Sequence, residues 1–238
     1  MKLASWNLKN VSLNSLVFKK SISQINKYIK SKNDFDVIAL QELRDKQIIY
    51  FLSGGIAQII FSDFKRIVSD KKGAQTHKEV YGFLVNDKYK DIQEVEFSNY
   101  KEFTRPPMAI VVEKKFAVVN LHVVYGKDKQ KRIQEVKALK KIIKFIYSNY
   151  NIAYENIFIA GDFNLTAKEI KKIHKDMSVY IEDKTTLGRT KFSKNYDHFL
   201  TFNPSGITKA NQEMVGDFKF FHKNISDHIP IEGVFTLQ

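Results

Sequence analysis

The sequence predicts one α/β domain of α+β character over residues 1–238, and three observations carry that expectation. The first is Ile157-Phe158-Ile159-Ala160, an apolar run with β-branched members that fits a strand covered on both faces. The second is a βαβ rhythm in the first forty residues. The third is a strand-dense stretch over 58–124, followed by a basic amphipathic helix. No Pro/Gly/Ser-rich linker or shift of composition divides the chain, so a single domain is expected.

Taken in order, residues 2–8 alternate as a first strand that ends at Asn7. Ser12 to Lys30 carries Leu16, Ile22, Ile25 and Ile29 at helical spacing, and Asp36 to Leu40 is a second buried strand that ends in Gln41-Glu42. A parallel crossover would bring Asn7 and Glu42 to one edge of a sheet. Leu43 to Leu52 reads as a short helix. Strands are expected at Gln58–Phe61, Tyr81–Val85, Ile92–Phe97, Met108–Val112 and Phe116–Val123, separated by polar turns such as Asn86-Asp87. Lys127 to Tyr147 is the basic helix, with Ile133, Val136, Leu139, Ile143 and Ile146 on its core face and lysines mostly elsewhere. After the strand to Gly161 come a helix from Ala167 to His174, a polar loop through Arg189, and strands His198–Phe202 and Ile229–Phe235.

The chain is 43% hydrophobic with 19 Phe and 11 Tyr, enough to build a core without covalent cross-links. It has no cysteine, which excludes disulfides and thiolate metal sites. No apolar stretch reaches membrane-spanning length, so no membrane span is expected. The start Lys2-Leu3-Ala4-Ser5-Trp6 reads as a strand and not as a signal peptide. The compartment is therefore open: cytoplasmic, or secreted or periplasmic if a leader has been removed. A net charge of +13 fits a polyanionic partner, nucleic acid or an anionic surface, and fits equally a lysine-rich solvated exterior.

Asn7, Glu42, Glu79, His122, Asp162, Asn164, Asp197, Asp227 and His228 each stand at an expected strand end or adjoining turn. Taken singly, each has a structural explanation: Asn and Asp make turns, and a lone His is commonly a core residue. Together they would gather carboxylates and two imidazoles on one rim, which needs a cation to be tolerated. With no Cys and only 6 His, Mg²⁺ or Mn²⁺ suits the set better than structural Zn²⁺.

Five motifs in order, Ser5-Trp6-Asn7, Leu40-Gln41-Glu42, Gly161-Asp162-Phe163-Asn164, Tyr196-Asp197 and Ser226-Asp227-His228, resemble the endonuclease/exonuclease/phosphatase superfamily across nearly the whole chain. Within it the chain is most similar to the deoxyribonuclease I family, through Gln41-Glu42-Leu43-Arg44-Asp45, Lys78-Glu79, Asn120-Leu121-His122 and Thr185-Thr186. The resemblance implies a four-layered αββα sandwich, deoxyribonuclease I-like, and a metal-dependent attack of water on a DNA phosphodiester. It implies that Glu42 ligates the metal with help from Asn7 and Asp227, and that Asp162 and Asn164 orient water and phosphate. His122 with Glu79 and His228 with Asp197 would be acid/base and phosphate-contacting pairs; Arg44, His77 and Arg105 would bind substrate.

Two departures from the family stand out. Lys184 precedes Thr185-Thr186 and Leu187-Gly188 follow, which argues against a structural Ca²⁺. His77 replaces the groove-reading tyrosine of the family. The expected function is a monomeric Mg²⁺-dependent endonuclease acting on double-stranded DNA with little sequence preference. The alternatives are a phosphatase or phosphodiesterase of the same fold acting on inositol phosphates or phospholipids, or an abasic-site or exonuclease-type repair enzyme.

Overall fold

The computed structural model describes all residues except 13, 15–20, 55–62 and 74–77, together with the backbone but not the side chains of 22, 53 and 54. The first sheet is built from β1 (Lys2–Val11), β2 (Val37–Leu43), β3 (Phe64–Val68), β4 (Val80–Asn86), β13 (Gly206–Ala210) and β14 (Ile231–Phe235), in the order β13-β14-β1-β2-β4-β3. The second contains β5 (Ile92–Glu96), β6 (Met108–Val112), β7 (Phe116–His122), β8 (Ile157–Asp162), β9 (Ser178–Tyr180) and β12 (Asp197–Thr201), in the order β5-β6-β7-β8-β12-β9. A small hairpin pairs β10 (Thr186–Leu187) with β11 (Phe192–Lys194). In each large sheet one central pair is parallel, β1 with β2 and β7 with β8, and every other pairing is antiparallel.

Side-chain alternation explains why these strands are apolar on both faces. Leu3, Val37 and Ala39 point between the sheets, where they meet Ile110, Val118, Phe158 and Phe199. Their neighbours Ala4, Ile38 and Leu40 point outward and pack with Ile25 and Ile29 of α1 (Ile22–Lys30), Ile48, Ile49 and Leu52 of α2 (Ile48–Gly54), and Phe221 of α5 (Phe218–Asn224). On the far side Ile157 and Ile159 pack with Val136, Leu139, Ile143 and Ile146 of α3 (Lys129–Tyr150) and with Ile170 of α4 (Ala167–Ile173). The result is the four-layered αββα sandwich. Each fully buried side chain of this kind contributes about 1.5–3 kcal/mol.

Helix α3 starts where the Asp128 side chain accepts from Lys131 N–H, and it stops at Asn151, whose φ of 55° is left-handed. Lys137, Lys140, Lys141 and Lys144 are exposed, which makes them a solvated helix face. Among the described residues no helix is long and apolar enough to cross a membrane.

Several boundaries differ from expectation. The helix expected at Leu43–Leu52 begins only at Ile48, because Leu43 still pairs with Val80 inside the sheet. The polar loop before Arg189 holds β9 and β10. Strand β3 has no clear two-residue period, β13 alternates in exposure but turns its one large apolar residue, Ile207, outward, and α5 opens with an aromatic run, so none has a strong sequence signature. The strand expected at Gln58–Phe61, most of the segment 12–20 and His77 lie outside the described residues.

Gly161 is the one residue of β8 that has to be glycine. Its φ is +149°, and a Cβ there would stand 1.9 Å from the Leu121 carbonyl oxygen on the parallel neighbour. Gly161→Ala is expected to destabilise the fold by about 3 kcal/mol or more, read as a lower urea midpoint. An unchanged midpoint would contradict this close approach.

Candidate active site

Strand direction gathers the polar residues. The parallel strands β1, β2, β7 and β8 bring Asn7, Glu42, His122 and Asp162 to one rim with their C-terminal ends, while β4, β12 and β14, which run the other way, start there. Glu79 precedes β4, Asp197 opens β12, and Asp227-His228 precede β14. The chain leaves the ladders abruptly at this edge. Lys9, Asn10, Glu42 and Asn164 all have left-handed φ, between 48° and 60°, and both β1 and β2 change register beside them. Non-glycine residues held this way gather at functional sites.

Asp162 is the centre. It is 2% exposed and accepts hydrogen bonds from Asn7 Nδ2 at 3.1 Å and from Asn164 N–H at 2.9 Å. The Nε2 atoms of His228 and His122 stand 3.7 and 3.8 Å from its Oδ2. Each imidazole is held from behind: His122 Nδ1 lies 2.8 Å from Glu79 Oε1, and His228 Nδ1 lies 2.8 Å from Asp197 Oδ2. Thr185 Oγ1 donates to that same Asp197 oxygen at 2.6 Å. Asn7 Nδ2 also donates to Glu42 Oε1 at 2.9 Å, which brings the Glu42 and Asp162 carboxylates together.

Burial and charge pull in opposite directions here. Burial, with Asp197 nearby, pushes the Asp162 carboxyl up to about 6 despite the two imidazoles. Burial alone would lower His228, but Asp197, Asp162 and Asp227 outweigh it and raise the imidazole to about 10. His122 is likewise raised: the pull of Glu79 exceeds burial. Glu79 is lowered, since His122 and Arg105 outweigh its own burial.

Glu42, Glu79, His122, Asp162, Asn164, Asp227 and His228 line a cleft of about 660 Å³ that also includes Lys9, Asn10, Arg44, Arg105, Tyr125 and Tyr196. The Arg44 guanidinium donates to the Lys78 carbonyl at 2.8 Å and to Asn10 Oδ1. Arg105 donates to the His122 and Val123 carbonyls at 3.2 and 3.0 Å and lies 3.5 Å from Glu79. Behind it, Glu135 of α3 is buried and accepts from Thr104 N–H and Val124 N–H at 2.9 and 3.0 Å, so the helix ties down two cleft loops.

The donor set fits a hard divalent cation: it offers carboxylate oxygens and imidazoles, and no thiolate. Ligand atoms of Asp162, Asp197 and His228 lie within 4.8 Å of one another and could hold one. Asp197 and His228 already engage each other, and both Asp162 oxygens accept hydrogen bonds, which leaves the Glu42 carboxylate as the freer donor among the described residues. Asn7 Oδ1 accepts from Lys9 N–H at 2.9 Å, and Asp227 Oδ2 lies 2.7 Å from Lys9 Nζ.

Every expected site residue among the described ones lies at this rim or lines its cleft. Sequence reasoning missed Lys9, Tyr125 and Glu135, and it named Thr185 as part of a motif without a role beside Asp197. Lys9 had a usable signal, two residues beyond Asn7. Glu135 had a weaker one, a carboxylate on the apolar side of its helix.

No family model matches the chain. In sequence it is 24% identical to a deoxyribonuclease of Thioalkalivibrio sp. (strain K90mix), over 99% of this chain and 71% of that one. It is 23% identical to the deoxyribonuclease gamma of Homo sapiens, over 100% and 86%. Among solved structures, the 3′-5′ exonuclease of Neisseria meningitidis superposes with a TM-score of 0.64, covering 99% of both chains at 16% identity. The fold is thus an α/β sandwich that matches structures of the endonuclease/exonuclease/phosphatase, deoxyribonuclease I-like type. Within that class the sequence similarity runs to deoxyribonucleases, and it supports a nuclease or phosphodiesterase.

The raised His228 has a consequence for stability. Its folded pKa of about 10 exceeds the ordinary 6.5, so its contribution is complete below pH 6.5 and is lost as pH rises towards 10. In chelator, unfolding free energy is expected to fall over that window by on the order of 4 kcal/mol, and Asp197→Asn should flatten the decline. Urea titrations across pH check this; a flat profile in the unaltered protein would mean an uncharged His228.

Proposed function

We propose that this protein is a Mg²⁺-dependent endonuclease that hydrolyses phosphodiester bonds of double-stranded DNA with little sequence preference, with Mn²⁺ able to substitute. The observation that carries the reading is the pair of carboxylate-held imidazoles whose Nε2 atoms face one buried carboxylate, at 3.7 and 3.8 Å. A binding module has no use for such an arrangement. The similarity to deoxyribonucleases supports DNA as the substrate.

In this reading Asp162 receives a hydrogen bond from the attacking water and orients it towards phosphorus, with Asn164 beside it. Burial raises the Asp162 carboxyl above the ordinary carboxylate range, which makes it basic enough to take the proton. Glu79 and Asp197 each accept from an Nδ1–H, which turns the protonated Nε2 of His122 and His228 towards the substrate. There they donate to the phosphoryl oxygens as negative charge grows, and an imidazolium supplies the proton that the departing oxygen needs. A divalent ion held at Glu42, with Asn7 and Asp227 adjacent, would supply Lewis-acid stabilisation of the same charge. Arg44 and Arg105 line the cleft as anion-binding groups. A second reading, exonuclease-type cleavage, draws support from the Neisseria exonuclease's fold similarity.

Plasmid nicking tests the reading. EDTA is expected to abolish it and Mg²⁺ or Mn²⁺ to restore it, while His122→Ala or His228→Ala should each reduce turnover by about 10²-fold or more. Cleavage by stripped protein in chelator would overturn the metal mechanism; near-normal turnover in both variants would return the histidines to a structural role.

Arg44 separates duplex cleavage from general phosphodiesterase activity. Arg44→Ala should weaken cleavage of duplex DNA and flatten the cutting pattern between AT-rich and mixed sequences, while sparing a small chromogenic phosphodiester. Equal loss on both substrates would indicate a damaged centre, and no loss on either would remove Arg44 from substrate binding.

A further inference from the structure

The cleft carries an aromatic ring that has no part in the chemistry so far. Tyr125 is 76% exposed, the most exposed of the large aromatic side chains among the described residues, and it lines the same cleft as His122 and Asp162. Exposure alone is common on a protein surface. What sets this tyrosine apart is the backbone that carries it, which is fastened on both sides. Val123 N–H donates to the Asp162 carbonyl at 2.9 Å, and the Val123 carbonyl accepts from Asn164 Nδ2 and Arg105 Nη2 at 2.9 and 3.0 Å. Val124 N–H donates to buried Glu135, and the Gly126 carbonyl accepts from the Arg132 guanidinium. The ring therefore stands in solvent on a fixed mount, and little conformational freedom is lost when a ligand covers it.

A planar ring in a cleft that also holds Lys9, Arg44 and Arg105 matches the two halves of a nucleotide: cations for the phosphates and an aromatic face for a base. A base inside a continuous duplex has both faces covered by its neighbours, so a base that lies on Tyr125 has left the stack or was never in one. We propose that Tyr125 is a stacking platform for one unstacked nucleobase beside the scissile phosphate, and that the cleft thereby takes single-stranded DNA as a substrate in addition to duplex. Within a duplex the same contact favours cleavage at gaps, frayed ends and the pyrimidine–purine steps that unstack readily.

This rests on the nuclease reading above, and plasmid nicking separates the two. The full chain with Mg²⁺ is given a labelled single-stranded thymidine oligomer, and in parallel an oligomer of equal length with tetrahydrofuran in place of each nucleoside, which keeps the phosphates and has no bases. The ratio of kcat/KM on the two is compared for the unaltered protein, Tyr125→Ala and Tyr125→Phe, with folding checked by circular dichroism. The unaltered protein and Tyr125→Phe should prefer the thymidine oligomer by about tenfold, the scale of one base–aromatic stack, and Tyr125→Ala should lose most of that preference. A preference kept by Tyr125→Ala, lost by Tyr125→Phe or absent from the unaltered protein would overturn the stacking role, as would plasmid nicking without cleavage of the thymidine oligomer; the nuclease reading stands in each of these cases. Cleavage of neither plasmid nor oligomer would overturn both.

Discussion

A carboxylate shut away from water is the constraint around which this rim is organised. Asp162 sits at the end of a central strand, 2% exposed, and an isolated buried charge there would be strongly unfavourable. The structure offsets it with two imidazoles, each made more basic by a carboxylate of its own, and with amide donors from Asn7 and Asn164. Those second carboxylates need partners in turn: Arg105 and Thr185 supply them. The polar network grows outward from one charge until it reaches solvent.

The two sheets solve this in the same way. Each has six strands with one parallel pair in the middle, and the two parallel pairs deliver their C-terminal ends to a common edge. Asn7 and Glu42 arrive from one sheet, His122 and Asp162 from the other. Rigid strands on both sides hold the opposing groups at hydrogen-bond distance, a precision that loops alone seldom reach. The inter-sheet core of Leu3, Phe83, Phe158 and Phe199 sets the spacing, so apolar packing fixes the geometry of the polar site above it.

Much of this was legible in the sequence, for a physical reason. A strand buried on both faces must be apolar until it ends, so a polar residue closing an apolar run marks a rim: Asn7, Glu42, His122 and Asp162 all announce themselves in this way. Asp197 and His228 could be read by the same logic from the other strand direction. Lys9 is harder to read, because its place two residues beyond Asn7 is the one hint, and a bulge made from lysine and asparagine carries no glycine to signal it. Edge strands β3 and β13 are partly solvated, β3 without a clear period and β13 with Ile207 on its outer face, and α5 hides behind aromatic residues that suit a strand equally well. The partners of Arg44, a carbonyl and an amide far along the chain, depend on tertiary placement alone.

Glu135 gives the long helix α3 a second duty. Its two carboxylate oxygens are used up by donors from the loop that carries Arg105 and from the loop that leads to Tyr125. A helix packed along one side of the sandwich is thereby fastened to the mouth of the cleft, and the two loops cannot swing apart without breaking buried charge-assisted hydrogen bonds. On warming, the mouth and the helix should therefore loosen as one cooperative unit, with amide exchange at Thr104 and Val124 following that of the helix and not that of freely breathing surface turns.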